Sequence, residues 1–213
     1  LKLAGFSMIL TIVFGVGSGV LMAVKKDRLL DHVLGTFSTV ALSVPGFWIA
    51  IVLIFIFAEQ WKILPSSGIS DGSGFILPAI TLALPSIGVC ARLTRSAILD
   101  EIGRQYMTVA DAKGMSRRRA VIRHAFGNAL IPIITYLGNH MAGIIGGASI
   151  VETIFAIPGI GSYAIAGVQS KDYYVVQAYV LFSGCIYVLT NILIDLIYIA
   201  LDPKIRAGEA VES

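Results

Sequence analysis

The chain has 213 residues, of which 56% are hydrophobic and 14% charged, with a formal net charge of +3 and a mean hydropathy of +0.84. Soluble domains carry about 25% charged residues, so the composition excludes an ordinary water-soluble globule and specifies an all-α, polytopic membrane helical bundle. The small net charge matters less than where the charges stand.

Residues 3–24 are apolar throughout, and about 22 residues at 1.5 Å rise cross a hydrocarbon core of ~30 Å. Gly15, Gly17, Ser18 and Gly19 form a small-residue face suited to close helix packing. No charged leader with a short apolar core and a cleavage site precedes this span, and position 1 is Leu, so no signal peptide is expected. Lys25, Lys26 and Arg28 then place this end on the cytoplasmic side, where Lys and Arg of short loops are retained.

Residues 29–58 predict a second span, interrupted at Pro45-Gly46, where proline frees a backbone carbonyl. Two readings stand beside each other: a kink that opens the bundle toward a translocation pathway, and a kink that serves packing alone. Residues 59–74 read as an external loop with Trp61 at the interface. Residues 75–99 form the third span, and Arg92 and Arg95 mark its inner end, where long cationic side chains snorkel toward headgroups.

The longest polar interval, residues 100–128, follows. It carries Arg104, Lys113, Arg117, Arg118, Arg119 and Arg123. Ala110, Asp111, Ala112 and Lys113 predict a short helix that stops at Gly114, and Ser116 caps a second one beginning at Arg117. Two short helices with a bend at glycine therefore lie outside the bilayer, within reach of a soluble partner.

Residues 129–150 are the fourth span, rich in glycine and alanine and so expected at the centre of the bundle. Asn139 and His140 are its polar residues, and such groups face the interior or a water-filled route. His140 reads either as a satisfied interior histidine or as part of the pathway. A metal role lacks support, since no second His or Cys stands three or four residues away. Residues 152–177 form an external, non-helical or short-helical segment with the turn Pro158-Gly159-Ile160-Gly161, in which Glu152 either tethers the segment or touches cargo. Residues 175–201 are the fifth span, with Asn191 and Asp195 toward its inner end. Thirteen Lys or Arg then fall inside and three, Lys2, Lys62 and Lys171, outside.

The chain has no phosphate-cradling Gly-x-x-x-x-Gly-Lys-Ser/Thr, no His-Glu-x-x-His, no Cys-x-x-Cys, no Gly-x-Ser-x-Gly and no dinucleotide fingerprint. Neither an enzyme nor a cofactor is expected, and energy for transport must come from another subunit or an ion gradient. Cys90 and Cys185, both in apolar segments, read as small packing residues. The run Arg117 to Arg119 with Arg123 has no interleaved aromatics, which favours a topology signal and docking surface over nucleic-acid binding.

Several stretches resemble a known family. YMTVADAKGMSRRRAVIRHAFGNALIP, from Tyr106 to Pro132, is similar to the cytoplasmic loop of permeases of bacterial ABC importers, in particular the peptide/nickel (dipeptide and oligopeptide) branch. Thr108, Val109 and Ala110 stand where the broader class has Glu-Ala-Ala, with Gly114 in place of its glycine; the branch-like residues are Tyr106, Ala110, Ala112-Lys113-Gly114, His124-Ala125, Asn128-Ala129 and Pro132. SVPGFW from Ser43, VETIFAIPGIG from Val151, KDYYVVQ from Lys171 and LDPKIR from Leu201 extend the likeness over nearly the whole chain.

The resemblance implies a type I importer bundle like that of methionine permeases, a single domain over residues 1–213 with cytoplasmic coupling helices. It implies an ATPase-coupling loop that includes Tyr106, Ala110, Asp111, Ala112, Lys113, Gly114, Arg117 and Arg118. The implied partners are a second homologous permease subunit, two ATP-binding subunits that use the ATP, an extracytoplasmic substrate-binding protein and the lipid bilayer of the cell inner membrane. The implied cargo is di- or oligopeptide, with nickel chelates or glutathione as alternatives. The resemblance implies a further N-terminal helix and extracytoplasmic segment ahead of the position of Leu1, which this chain is expected to lack. Candidate pathway residues are Pro45, Asn139, His140 and Glu152. An ion-coupled secondary transporter would show inverted halves and mid-span ionisable groups, and a non-transporting scaffold would leave the several matching motifs without a reason.

Overall fold

The computed structural model describes residues 1–69, 72–104 and 125–201. Among these the regular structure is helical. Helix α1 (Lys2–Val24) contains a wide π-helical turn at Thr11–Val16. It is followed by α2 (Leu29–Ser43) and α3 (Gly46–Gln60), α4 (Ile76–Ile102), α5 (Phe126–Gly147), two short helices α6 (Ser149–Ile154) and α7 (Ile160–Gln169), and α8 (Tyr173–Leu201). Among the described residues, four helices are long and apolar enough to cross a membrane, or five if α2 and α3 together make one crossing.

The second expected span is thereby corrected in form. Val44 and Pro45 are both extended, at ψ 126° and 137°, and α2 and α3 meet at 101°. The cause is local: proline cannot donate to the preceding turn and pushes the residue before it out of the helical region. The Pro45 carbonyl then starts α3 by accepting the Trp48 and Ile49 N–H groups at 3.0 and 3.2 Å.

The centre of the bundle is α4, not the glycine-rich α5: 56% of its most apolar window is buried, against 28% for α5. Close approach explains this. A Cβ on Gly15 would stand 2.8 Å from Cys90 Cβ, one on Gly19 2.6 Å from the Ala91 carbonyl, and one on Gly88 2.6 Å from the Ser38 carbonyl. Glycines on α1 and α4 thus let three backbones touch, which supplies dispersion contact where lipid offers no hydrophobic drive. Two apolar clusters close the ends of the bundle. Leu3, Ala50, Leu77, Ala79, Val151, Phe155 and Ile157 pack at one end; Ala23, Ile98, Ala125, Ala129 and Ile133 pack at the other. Helix α8 lies at the periphery, only 6% of its window being buried. Cys90 is buried as a packing residue would be, whereas Cys185 is exposed on α8.

Candidate functional site

The end of the bundle that carries Lys25, Lys26, Arg28 and Arg104 is organised by two carboxylates. Asp31, in the first turn of α2, accepts Arg95 Nε on Oδ1 at 2.7 Å and Arg95 Nη2 on Oδ2 at 2.8 Å. The Asp27 N–H reaches the same Oδ2 at 3.0 Å, so the basic turn between α1 and α2 is tied to α4. A bidentate guanidinium–carboxylate pair has directional as well as Coulombic strength. Arg95, expected to snorkel toward the headgroups, is held by Asp31. Arg92, one turn deeper in α4, is exposed.

The second carboxylate is Glu101, buried to 7% exposure at the last turn of α4. Its Oε1 lies 3.0 Å from Arg104 Nε, and its Oε2 accepts the Asn128 side-chain amide of α5 at 3.2 Å. Ala125, which precedes α5, and Ala129 of α5 pack in one apolar cluster with Ile98 of α4 and Ala23 of α1. The chain therefore leaves α4 and re-enters α5 through one closed, packed base. The expected coupling residues Tyr106, Ala110, Asp111, Ala112, Lys113, Gly114, Arg117 and Arg118 all belong to the segment that this base subtends, and they lie outside the described residues.

The four expected pathway residues are not one site. Asn139 and His140 share a cavity of about 290 Å³ with Leu82, Gly143, Ile144 and Tyr187. His140 Nδ1 is 3.2 Å from Ser86 Oγ on α4, its ring lies parallel to Tyr136 at 6.0 Å, and the Tyr136 hydroxyl donates to the Ser86 carbonyl at 3.1 Å. Its Nε2 is buried with no hydrogen-bond partner among the described residues. Glu152 lines an adjoining cavity of about 600 Å³ with Leu3, Ile144 and Phe182, Ile144 being common to both cavities. Its carboxylate accepts the Ser162 N–H at 2.8 Å, which places an anion at the N-terminus of α7 and satisfies one of the donors a helix start leaves open. Gly159 lies directly against the Glu152 carboxylate. Pro45 is exposed at the break between α2 and α3 and lines neither cavity.

Asp31, Ser86, Glu101, Asn128 and Tyr136 were not singled out as site residues by sequence reasoning. Two signals were available: an acid opening a span directly after a basic cluster, and Tyr136 four residues before His140 on one helix face.

A family model described as the inner membrane component of binding-protein-dependent transport systems matches residues 15–207. The chain belongs to that family. This permease-family chain is 39% identical over 97% of its length to the probable peptide ABC transporter permease protein y4tP of Sinorhizobium fredii, covering 68% of that protein. It is 34% identical over 94% of its length to the glutathione transport system permease protein GsiC of Escherichia coli K12, covering 65% of it. The chain thus spans about two-thirds of the length of these relatives. Its fold is shared with a chain of the MetNI methionine ABC transporter solved in inward-facing conformations, at TM-score 0.75 and 16% identity over 94% of this family member and 92% of that chain.

Proposed function

We propose that the chain is the membrane-spanning permease subunit of an ABC importer, pairing with a second homologous permease and coupled to two ATP-binding subunits and an extracytoplasmic binding protein. Family membership and the relatives' names support the importer reading. The observation that carries the coupling reading is the closed base at Glu101 and Asn128, which joins both ends of the basic segment to the core of α1, α4 and α5. A push on a segment anchored at one point would be absorbed by its backbone; a push on one anchored at both ends moves α4 and α5 together. Such coupling requires that nucleotide state bias two arrangements of the bundle.

In this reading the basic segment between α4 and α5 faces the cytoplasm, consistent with the distribution of Lys and Arg. Peptides are the cargo, as in the y4tP relative's name; a glutathione-type peptide is the second reading, favoured by the GsiC relative. The test is Gly114→Trp in the complete importer. Insertion and assembly are expected to persist, with ATP hydrolysis no longer driving uptake. Normal uptake with normal stimulation of hydrolysis would overturn the coupling assignment.

A further inference from the structure

Helix α2 presents three distinct faces. Asp31, Ser38 and Ala41 are buried against the bundle. Leu30, Val33, Phe37 and Val40 form an exposed apolar stripe, 41% to 57% accessible. His32, Thr36, Thr39 and Ser43, spaced by four, three and four residues, form an exposed polar stripe, which is the spacing of a single helix face. Beside that polar stripe, α4 presents exposed Arg92 and Ser96. His32, Thr36, Thr39, Arg92, Arg95 and Ser96 line a groove of about 590 Å³ between the two helices.

Hydrocarbon is the wrong neighbour for this groove. The hydroxyls of Thr39 and Ser43 donate back to the Gly35 and Thr39 carbonyls at 3.0 and 2.9 Å, so those two alone would tolerate lipid. The Arg92 guanidinium would not, because it has five donors and no ion-pair partner among the described residues. It stands one turn, about 4.5 Å, deeper in α4 than Arg95, and an unpaired charge facing lipid is costly. The nearby acids do not neutralise it: Asp31 lines the groove but is filled by Arg95 and the Asp27 N–H, and Asp100 is exposed two turns further along α4. The apolar stripe on the opposite flank of α2 is, by contrast, suited to lipid or to an apolar subunit surface.

We propose that the groove between α2 and α4 is the inner half of the water-filled translocation route, and that Arg92 meets the carboxylate of a peptide-like solute passing through it. This rests on the permease reading above and names where the route runs and what chemistry lines it. A guanidinium matches a carboxylate in geometry and charge, while hydroxyl neighbours replace part of the solute's hydration. With Arg95 already engaged by Asp31, Arg92 is, among the described residues, the guanidinium lining the groove without an ion-pair partner, which permits contact without the tight capture that would stall release.

The experiment uses the complete importer in inside-out vesicles, in a Cys185→Ser background that removes the exposed thiol. Single cysteines replace Thr36, Thr39, Phe37 and Val40, and a membrane-impermeant charged thiol reagent is applied. Thr36→Cys and Thr39→Cys are expected to react at least tenfold faster than Phe37→Cys and Val40→Cys. Equal rates on the two stripes, or an inert polar stripe, would overturn the route. So would protection of the polar stripe in anionic-phospholipid vesicles but not in phosphatidylcholine, which would make the groove a headgroup site. For Arg92, uptake of dialanine and of dialanine amide is compared. Arg92→Gln is expected to lower dialanine uptake about tenfold and leave the amide within twofold of wild type, with partial rescue by Arg92→Lys. Equal losses for both would overturn the carboxylate contact. If the wild-type importer moves neither peptide, the cargo reading and the role of Arg92 fail together, while the labelling pattern still decides the route.

Discussion

Asn128 donates its side-chain amide to the Glu101 carboxylate at 3.2 Å, across the two ends of the segment that joins α4 to α5. The acceptor is a buried carboxylate, and hydrogen bonds to groups of this kind contribute about 1.5–3 kcal/mol. The Arg104 contact to the same carboxylate is two-thirds exposed on the arginine side and contributes little. Among the described residues, this hydrogen bond and the small-residue packing of α1, α4 and α5 help to close the base of the segment.

Glu101→Ala and Asn128→Ala are each expected to lower uptake about fivefold or more with ATP hydrolysis kept within twofold of wild type, because the segment still exists but no longer moves α4 and α5 as one. The double variant should lose little beyond either single one, as residues sharing one bond are not additive. Parallel assays of uptake and hydrolysis in proteoliposomes check this. Equal, additive losses in both activities would mean that the bond only stabilises the fold.

Asp31→Ala is expected to lower the melting temperature of the purified permease by several degrees, since it leaves Arg95 without its bidentate partner at the bundle edge. Arg95 remains about a third exposed, so the cost is about 1–2 kcal/mol, below that of breaking a fully buried pair. Arg95→Lys should lose most of the same stability, because an ammonium cannot form the two parallel bonds. Asp31→Ala combined with Arg95→Ala should be less harmful than Asp31→Ala alone, measured by thermal unfolding in detergent.

Gly19→Val would place a branched side chain where even a Cβ stands 2.6 Å from the Ala91 carbonyl. Backbone cannot yield as a side-chain tip can, so α1 must separate from α4, at a cost of at least about 2 kcal/mol. Loss of folded, membrane-inserted protein is expected. The control Gly17→Val, at a position with nothing within 4 Å, should be nearly neutral, and quantitative immunoblotting of membranes compares the two.

Glu152→Ala would remove the anion that caps α7 and is expected to destabilise α6 and α7 by about 1 kcal/mol. Gly159→Ala should do at least as much, since its methyl group would collide with the Glu152 carboxylate. Combining the two substitutions should recover part of the Gly159→Ala loss, as the collision disappears with the carboxylate. Faster proteolysis after residues of α6 and α7, read by mass spectrometry, is the measurement.

Much of the bundle was legible from the chain alone. Residues 3–24, 75–99, 129–150 and 175–201 contain enough unbroken hydrocarbon to cross a bilayer, and each corresponds to a long helix, because backbone groups in lipid have no partner other than their own helix. The clusters Lys25-Lys26-Arg28 and Arg117-Arg118-Arg119 stood out because charge is so scarce elsewhere. Pro45 was legible as an interruption, but not as a 101° turn, since the angle depends on what α3 packs against after the break.

Which partners the polar side chains choose was decided by tertiary structure. Asp31 and Arg95 are 64 positions apart, and so separated a pair becomes neighbours only once Gly88 lets α2 settle on α4. The centrality of α4 rather than the glycine-rich α5 was likewise hidden: glycine content tells that a close approach is available, not which neighbour uses it. Composition and periodicity are properties of one helix at a time and therefore determined the class, the spans and the basic end. Contacts between helices depend on shape at both surfaces, and these alone decided the Glu101–Asn128 base, the two end clusters and the polar groove.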